Sequence, residues 1–173
     1  MSEPQWPPAA DLVLEHGVVS LRQAVSADAG GIYEALDSDA VWQHVKGRPD
    51  SPEAVREVIA LAASQGRWMW TVRRDGQIVG TTSFLDVVPG DARLEIGFTA
   101  YAPSTWAGVV NPSCKLLLMT WAFEEAGFGR VQLKTDIRNA RSQAAIERLG
   151  AQREGVLRSY QRRQDGTMRD TVM

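Results

Sequence analysis

The spacing of apolar and polar residues changes several times along the chain, and each change predicts a new element. A short apolar run at 18–22 is typical of a strand. Two helices are predicted next, at 26–36 and 51–64, because each begins at a serine able to cap its first turn. The polar segment 37–50 between them is expected to be a loop.

From Arg67 onward the apolar period becomes two, which favours strands. The runs WMWTVRR and QIVGTTSFLDVV flank Asp75-Gly76, a residue pair that strongly favours a hairpin turn. A second turn at Pro89-Gly90-Asp91 leads into the run RLEIGFTAY. Three consecutive antiparallel strands are therefore predicted here.

The last third of the chain alternates helices with strands. The predicted elements are a loop at 102–111, an apolar helix at 113–126 after a capping Asn111 and Pro112, a strand at 131–135, a helix from Asp136 or Asn139 to Gly150, and strands at 155–160 and 168–173. The whole order predicts one α/β (α+β) domain, a mixed sheet of about six to seven strands with helices on both faces. That domain is expected to span 12–173, after a flexible proline-containing tail at 1–11. The predicted last strand runs to the final residue, so a natural protein that continues beyond it is consistent with the sequence.

Composition excludes several classes of protein. The hydrophobic fraction of 44% and the charged fraction of 23% are those of an ordinary globular protein. No apolar run has membrane-spanning length, and the N-terminus lacks the order of a secretory signal. The single cysteine, Cys114, and two histidines predict no disulfide framework and no metal site. A cytoplasmic protein without a membrane partner is expected.

Charge is unevenly distributed along the chain. Residues 1–129 hold 9 Lys/Arg and 16 Asp/Glu, whereas residues 130–173 hold 10 and 5. A basic C-terminal third can attract a phosphate-bearing cofactor, but a solvated arginine-rich surface explains the same composition. Nucleic acid is not an expected partner, because no Lys/Arg run is interleaved with aromatic residues.

The segment 94–118 has the order strand, tight loop, helix N-terminus. The free N–H groups of a helix N-terminus suit a pyrophosphate, although an ordinary strand-to-helix connection has the same pattern. The chain contains no Walker A sequence, no paired-glycine dinucleotide fingerprint, no nucleophile elbow and no HExxH motif.

Two motifs carry a resemblance to a known family. The first is Pro103-x-x-Trp106 leading to Asn111-Pro112-x-x-Lys115, and the second is Asn139-x-x-Ser142 followed by Glu147-Arg-Leu-Gly-Ala. With them the sequence, from about Val18 to its end, resembles the GNAT superfamily and its RimJ/RimL-like branch of protein N-terminal acetyltransferases.

The resemblance implies a GNAT fold with a splayed sheet and acetyl-CoA as co-substrate. The pantetheine arm would pair with the strand that carries Glu95, and the backbone N–H of Phe98 or Thr99 would hold the thioester carbonyl. Asn139 would bond the pantetheine amide, or simply cap its helix. The pyrophosphate would bind the loop and helix start formed by Trp106, Ala107, Gly108, Val109, Val110 and Asn111. Relatives usually place two glycines in this loop, whereas here only Gly108 is present.

Two side chains are candidates for proton transfer. Alternation places Leu94, Ile96 and Phe98 on one face of their strand and Glu95 on the other, where a solvated residue is the ordinary interpretation. The resemblance favours Glu95 as the general base. Ser142 stands where many relatives have a tyrosine that protonates the thiolate; it either takes that role or bonds its own helix as part of a buried stripe.

The sequence thus predicts an enzyme that transfers acetyl from acetyl-CoA to a primary amine by direct attack, without a metal. The acceptor is a protein N-terminus or a small-molecule amine, and a homodimer is possible. The alternative is a GNAT-like module that binds acyl-CoA or a protein without turnover, favoured by the missing loop glycine and the missing tyrosine.

Overall fold

The computed structural model describes residues 3–43 and 45–173 of the 173-residue chain. The described strands are β1 (Val13–His16), β2 (Val19–Gln23), β3 (Trp68–Arg74), β4 (Gln77–Val88), β5 (Arg93–Tyr101), β6 (Arg130–Gln132), β7 (Thr135–Asp136), β8 (Val156–Arg162) and β9 (Met168–Val172). The described helices are α1 (Ala29–Leu36), α2 (Asp39–Trp42), α3 (Pro52–Ala62), α4 (Val110–Thr120) and α5 (Ala140–Glu147). No helix in these ranges is long and apolar enough to cross a membrane.

The strands form two sheets. Six lie in the order β1-β2-β3-β4-β5-β6, antiparallel except for the parallel pair β5–β6, and three lie in the order β7-β9-β8. The predicted α/β fold with a mixed, splayed sheet is confirmed. The larger sheet has six strands, as expected for the predicted sheet of six to seven. The second sheet was not predicted as separate, because the single strand expected at 131–135 is divided between the two sheets. Strand β1, which buries only Leu14, was also not predicted.

Helices cover both faces of the larger sheet, as predicted. On the face packed against α4, here called the α4 face, Trp70, Phe84, Leu94 and Ile96 form one core with Leu118 of α4. On the opposite face, the α1 face, Met69 and Ala100 pack in a second core with residues of α1 and α3. The burial of both faces explains why β3, β4 and β5 are mostly apolar.

One additional residue in β5 changes which side chains share a face. Ser83 lies opposite Gly97 and Thr81 opposite Ala100, so that Phe98 and Thr99 together oppose a single residue of β4. This is a β-bulge, and Phe98 takes a left-handed φ of 45° and is 51% exposed. The prediction that Phe98 lies with Leu94 and Ile96 was therefore wrong.

Within the segment 1–11, for which a flexible tail was predicted, Gln5 and Trp6 contact the rest of the domain. The Trp6 ring makes edge contacts with Trp68, Phe84, Trp121 and Phe128 at centroid distances of 6.0 to 6.5 Å. The backbone N–H of Gln5 donates to the carbonyl of Ala126. An aromatic side chain that buries this much surface outweighs the entropy of a short proline-containing segment.

Three predictions about the helices need correction. Ser26 does not cap the first helix, because it lies inside a 3-10 turn, Ser26–Asp28, that precedes α1. Residues Asp39–Trp42 inside the expected loop form the short helix α2. Helix α4 begins at Val110 with Val109 as its N-cap, so Asn111 and Pro112 occupy its first turn and Asn111 does not cap it. The predicted N-caps Ser51 and Asn139 are confirmed, since each side chain accepts a hydrogen bond from the backbone three residues ahead.

Because Trp6 joins the N-terminal segment to β3, β4 and the end of the α4 region, Trp6→Ala should destabilise the whole domain. We expect a loss of about 2–3 kcal/mol, which lowers the melting temperature by roughly 5–10 °C. Phe123→Ala, which removes an exposed aromatic, is the matched control. A variant that melts within a degree of the parent would show that the segment contributes no packing energy.

Candidate active site

The site is built around the point where β5 and β6 separate. The parallel pairing joins Arg93, Leu94 and Glu95 to Arg130, Val131 and Gln132, and in the described chain it stops there. Beyond that point the chain passes from β6 into β7, which belongs to the other sheet. The edge of β5 from Gly97 to Thr99 thus faces an opening, and its backbone groups can pair with an extended ligand.

The N-terminus of α4 lies a short loop beyond β5. In the described residues no side chain caps this helix, so the N–H groups of its first turn are available and the positive end of its dipole is exposed. Ala107 in the preceding loop takes a left-handed φ of 58°. This conformation costs an alanine about 1–2 kcal/mol of conformational free energy, whereas glycine adopts it freely.

Trp106 connects this loop to both sides of the opening. Its indole N–H donates to the carbonyl of Tyr101 at the end of β5, at 2.9 Å. The guanidinium of Arg141, at the start of α5, lies 3.7 Å from the Trp106 ring centroid, a cation–π contact. The loop before α4 and the first turn of α5 are therefore in contact across the opening.

Glu95 is buried, with 5% of its surface exposed, at the last position of β5 that pairs with β6. Its Oε2 lies 2.6 Å from Nζ of Lys134, an ion contact outside the angle of a directional hydrogen bond, and Lys134 also donates to Asp86 at 3.0 Å. Burial raises the pKa of Glu95 above its ordinary value, and Lys134 opposes that rise only in part. The carboxylate therefore keeps an affinity for protons that an exposed glutamate lacks.

The second oxygen of Glu95 points along the strand toward the bulge. A Cβ atom placed on Gly97 would lie 2.8 Å from Glu95 Oε1, so a side chain there would force the carboxylate to move from this position. One oxygen of Glu95 is thus held by Lys134, while the other lies above Gly97, next to the unpaired edge of β5.

Comparison with known proteins of similar sequence and structure agrees with this geometry. The family described as acetyltransferase (GNAT) domain matches residues 19–152. The chain belongs to the GNAT acetyltransferase family. Its predicted membership is confirmed, and members of this family use acetyl-CoA as co-substrate.

Individual relatives cover nearly the whole GNAT domain. The chain is 26% identical over 166 residues to "Uncharacterized N-acetyltransferase YoaA" of Bacillus subtilis (strain 168), covering 92% of this chain and 93% of that protein. A solved structure described as "probable acetyltransferases (GNAT family) from Chromobacterium violaceum ATCC 12472" is 26% identical with a TM-score of 0.90, covering 99% and 88% of the two chains. A GCN5-related N-acetyltransferase from Brucella melitensis, 19% identical over 99% of this chain and 80% of that one, shares the fold with a TM-score of 0.89.

Two predicted site residues of this GNAT domain lie on α5. Asn139 Oδ1 accepts from the Ser142 backbone N–H at 3.0 Å, so its side chain caps the helix. The predicted buried stripe was wrong, because α5 has no fully buried residue and Ser142, Ile146 and Leu149 are all partly exposed. Among residues 3–43 and 45–173 the Ser142 hydroxyl has no hydrogen-bond partner, neither its own helix nor Glu95. Its part in proton transfer stays a prediction.

Within the part of the chain that is described, no group of three or more His, Cys, Asp or Glu side chains could hold a metal ion.

Sequence reasoning missed a buried lysine in the middle of α4. Lys115 is 5% exposed and donates from Nζ to Thr99 Oγ1 at 3.1 Å, and that hydroxyl also bonds Thr82 at 2.8 Å. Among the described side chains none forms an ion pair with it. Burial lowers the pKa of Lys115 to about 8. The signal was available, since this lysine is the only charge inside the run NPSCKLLLMTWAF.

Because the folded pKa of Lys115, about 8, lies below its ordinary 10.5, the unfolded chain binds a proton between these pH values that the folded chain lacks. The free energy of unfolding should therefore rise with pH from 8 to 10.5, relative to a Lys115→Met variant, by up to about 3 kcal/mol. Below pH 8 the difference should be constant. Chemical unfolding of both proteins across this range measures it.

The comparison with the variant is needed because burial raises the pKa of both Tyr101 and Cys114, which oppose the trend in the same range. Lys46→Met removes an exposed amine and is the matched control. Parallel curves for the parent and Lys115→Met would refute the lowered pKa.

Proposed function

We propose that this GNAT domain transfers the acetyl group of acetyl-CoA directly to a primary amine. The observation that carries the proposal is the separation of β5 from β6 beside the bulge, with one oxygen of Glu95 above Gly97 at that point. A strand edge, a helix N-terminus and a carboxylate with a raised pKa converge on one opening, which suits an extended thioester and an attacking amine.

The residues around the opening fit acetyl-CoA. The unpaired edge of β5 offers main-chain partners to the pantetheine amides, and the N–H of Phe98 or Thr99 would bond the thioester oxygen as negative charge develops on it. The uncapped first turn of α4, with the loop 106–109 before it, supplies N–H groups for the pyrophosphate. The left-handed Ala107 supports this use of the loop, because its backbone keeps a conformation that glycine adopts freely.

The chemistry requires one proton acceptor and a leaving thiolate. The neutral amine attacks the thioester carbon, the C–S bond breaks, and the amine proton passes to Glu95 Oε1, directly or through a water molecule. The thiolate either leaves unaided or takes a proton from Ser142. Positioning the two reactants side by side supplies most of the acceleration, so no covalent enzyme intermediate is needed.

The branch of the family remains part of the proposal. A neighbour from Salmonella typhimurium, described as modifying the N-terminal serine of ribosomal protein L7/L12, has a TM-score of 0.78 but is 17% identical, and such a likeness carries the fold alone. The amine source is accordingly proposed to be either a protein N-terminus or a small molecule. A cytoplasmic location and a homodimer are further parts of the proposal. The domain boundary at residue 12 is likewise proposed, with Trp6 packed onto it.

One observation favours the alternative of an inactive acyl-CoA-binding module. Lys134 pairs with Glu95, and an ion pair of this kind can serve the fold without any role in catalysis. Measurement of turnover, and not binding alone, separates the two.

Acetyl-CoA should raise the melting temperature by mass action, since it binds only the folded state. At a concentration one hundred times its Kd the gain is about 2.7 kcal/mol, or roughly 5–10 °C for a domain of this size. ATP at equal concentration is the control for a general anion effect. Unchanged melting at millimolar acetyl-CoA would argue against the whole proposal, and a shift without thiol release over a panel of amines would support the inactive module.

Glu95→Gln should preserve the acetyl-CoA shift and lower kcat by about a hundredfold, the typical worth of a general base. A base must be ionised to act, so the rate of the parent should fall as pH drops through the raised pKa of Glu95, at a pH above the 4.5 of an ordinary glutamate. The variant should lose this acidic limb of the kcat profile. Glu147→Gln, on the exposed side of α5, is the control, and normal kcat in Glu95→Gln would assign the proton to another group.

A further inference from the structure

Arg67 lies on the α1 face of the sheet, close to the opening. It directly precedes β3 and shares a face with Met69, two residues along. Its Nε donates to Ser83 Oγ at 2.8 Å, and its guanidinium lies 4.5 Å from the centroid of the exposed Phe98 ring. Both contacts hold the guanidinium in place, and neither supplies a negative charge.

Arg67, like Arg169, lacks the counter-charge that two other partly buried arginines have. Arg73 and Arg163 pair with the carboxylates of Asp28 and Asp136. Arg67 has no ion pair anywhere in residues 3–43 and 45–173, and burial alone lowers its pKa to about 10. It remains a cation at neutral pH. A partly buried guanidinium with free Nη groups is preorganised to bind a carboxylate in bidentate fashion.

Arg67 and Glu95 border the same patch of the α1 face. Ser83, which holds Arg67, is paired directly with Gly97, and Glu95 Oε1 lies above Gly97. Side chains at directly opposed positions start about 4.5–5.5 Å apart, so one small molecule can reach from the carboxylate to the guanidinium. Phe98, at the bulge, borders this patch on the side of the unpaired edge.

We propose that Arg67 binds a carboxylate carried by the acceptor, so that this enzyme prefers amines with a carboxylate a few bonds away. The inference rests on the proposed function, because Glu95 is taken as the base that receives the proton of the amine. An amine above Gly97 at Glu95 places a nearby carboxylate at Arg67. The carboxylate of a free amino acid and an acidic side chain near a peptide N-terminus offer the same chemistry.

Local charge argues against a polycationic acceptor. Lys134 already compensates Glu95 and Asp86, so these carboxylates attract a second cation only weakly. A polyamine would bring its additional positive charge toward Arg67. The patch between Glu95 and Arg67 therefore favours an acceptor that carries a negative group beside its amine.

The test compares acceptors that carry either a carboxylate or its neutral amide at the same position. Alanine is paired with alaninamide, and Ser-Asp amide with Ser-Asn amide, and kcat/KM is measured for each with acetyl-CoA. Because amidation also lowers the pKa of a neighbouring amine, the carboxylate-to-amide ratio is compared between proteins, and Arg67→Met should reduce it by tenfold or more for at least one pair. The pair that shows the effect identifies the source, free amino acid or acidic peptide. Arg67→Lys should restore part of the ratio.

Using a ratio makes the result independent of how much of each variant is folded. Arg74→Met, at the far end of β3, is the matched control and should keep the parental ratio. An equal loss for both members of each pair in Arg67→Met would overturn the proposal while leaving acetyl transfer intact.

A binding measurement separates failure of this inference from failure of the proposed function. Titration calorimetry with N-acetylalanine and with its carboxamide needs no turnover. The parent should bind the carboxylate at least tenfold more tightly, and Arg67→Met should lose that difference. Equal binding by the parent, together with equal binding of the matched N-acetyl dipeptides, refutes the carboxylate site whether or not the enzyme turns over.

Discussion

The additional residue in β5 determines how the rest of the site is arranged. Without the bulge at Phe98 and Thr99, alternation would place Thr99 on the same face as Glu95. With it, Thr99 turns toward α4 and meets Lys115, while Glu95 stays on the opposite face with Lys134. The bulge also lies where β5 has lost its partner strand, so both faces remain accessible from one edge.

The buried charges on the two faces of the sheet differ in how well their desolvation is compensated. Glu95 and Lys134 compensate each other, and Asp86 and Tyr160 supply Lys134 with further partners. Among the described residues, the Lys115 amine hydrogen-bonds only to a threonine hydroxyl. No counter-charge compensates the desolvation of its amine, so its pKa falls. Arg67 is a third case, a cation in partial burial with a neutral partner. Such groups reduce stability, and proteins usually retain them where a ligand provides the missing interaction.

Local signals predicted those parts of the fold that local physics controls. The serine before Pro52 and the Asp75-Gly76 turn act within a few residues, and both elements lie where they were expected. The bulge escaped detection because its cause is the register against β4, a partner distant in sequence. Trp6 escaped for the same reason, since its four aromatic neighbours come from three other parts of the chain. The role of Arg67 was likewise invisible, because a missing partner can be recognised only once the neighbours are known.

Gly97 shows how these constraints combine at one position. A side chain there would displace the Glu95 carboxylate, so the glycine allows it to lie along the strand toward the opening. The same absence of a side chain leaves a shallow patch between Glu95 and Ser83, whose hydroxyl holds Arg67. An acceptor can therefore approach the backbone of β5 closely enough for its amine to reach a thioester bound at the bulge. The glycine at this position thus serves the placement of the base, beside the cation and the strand edge that the acceptor would also contact.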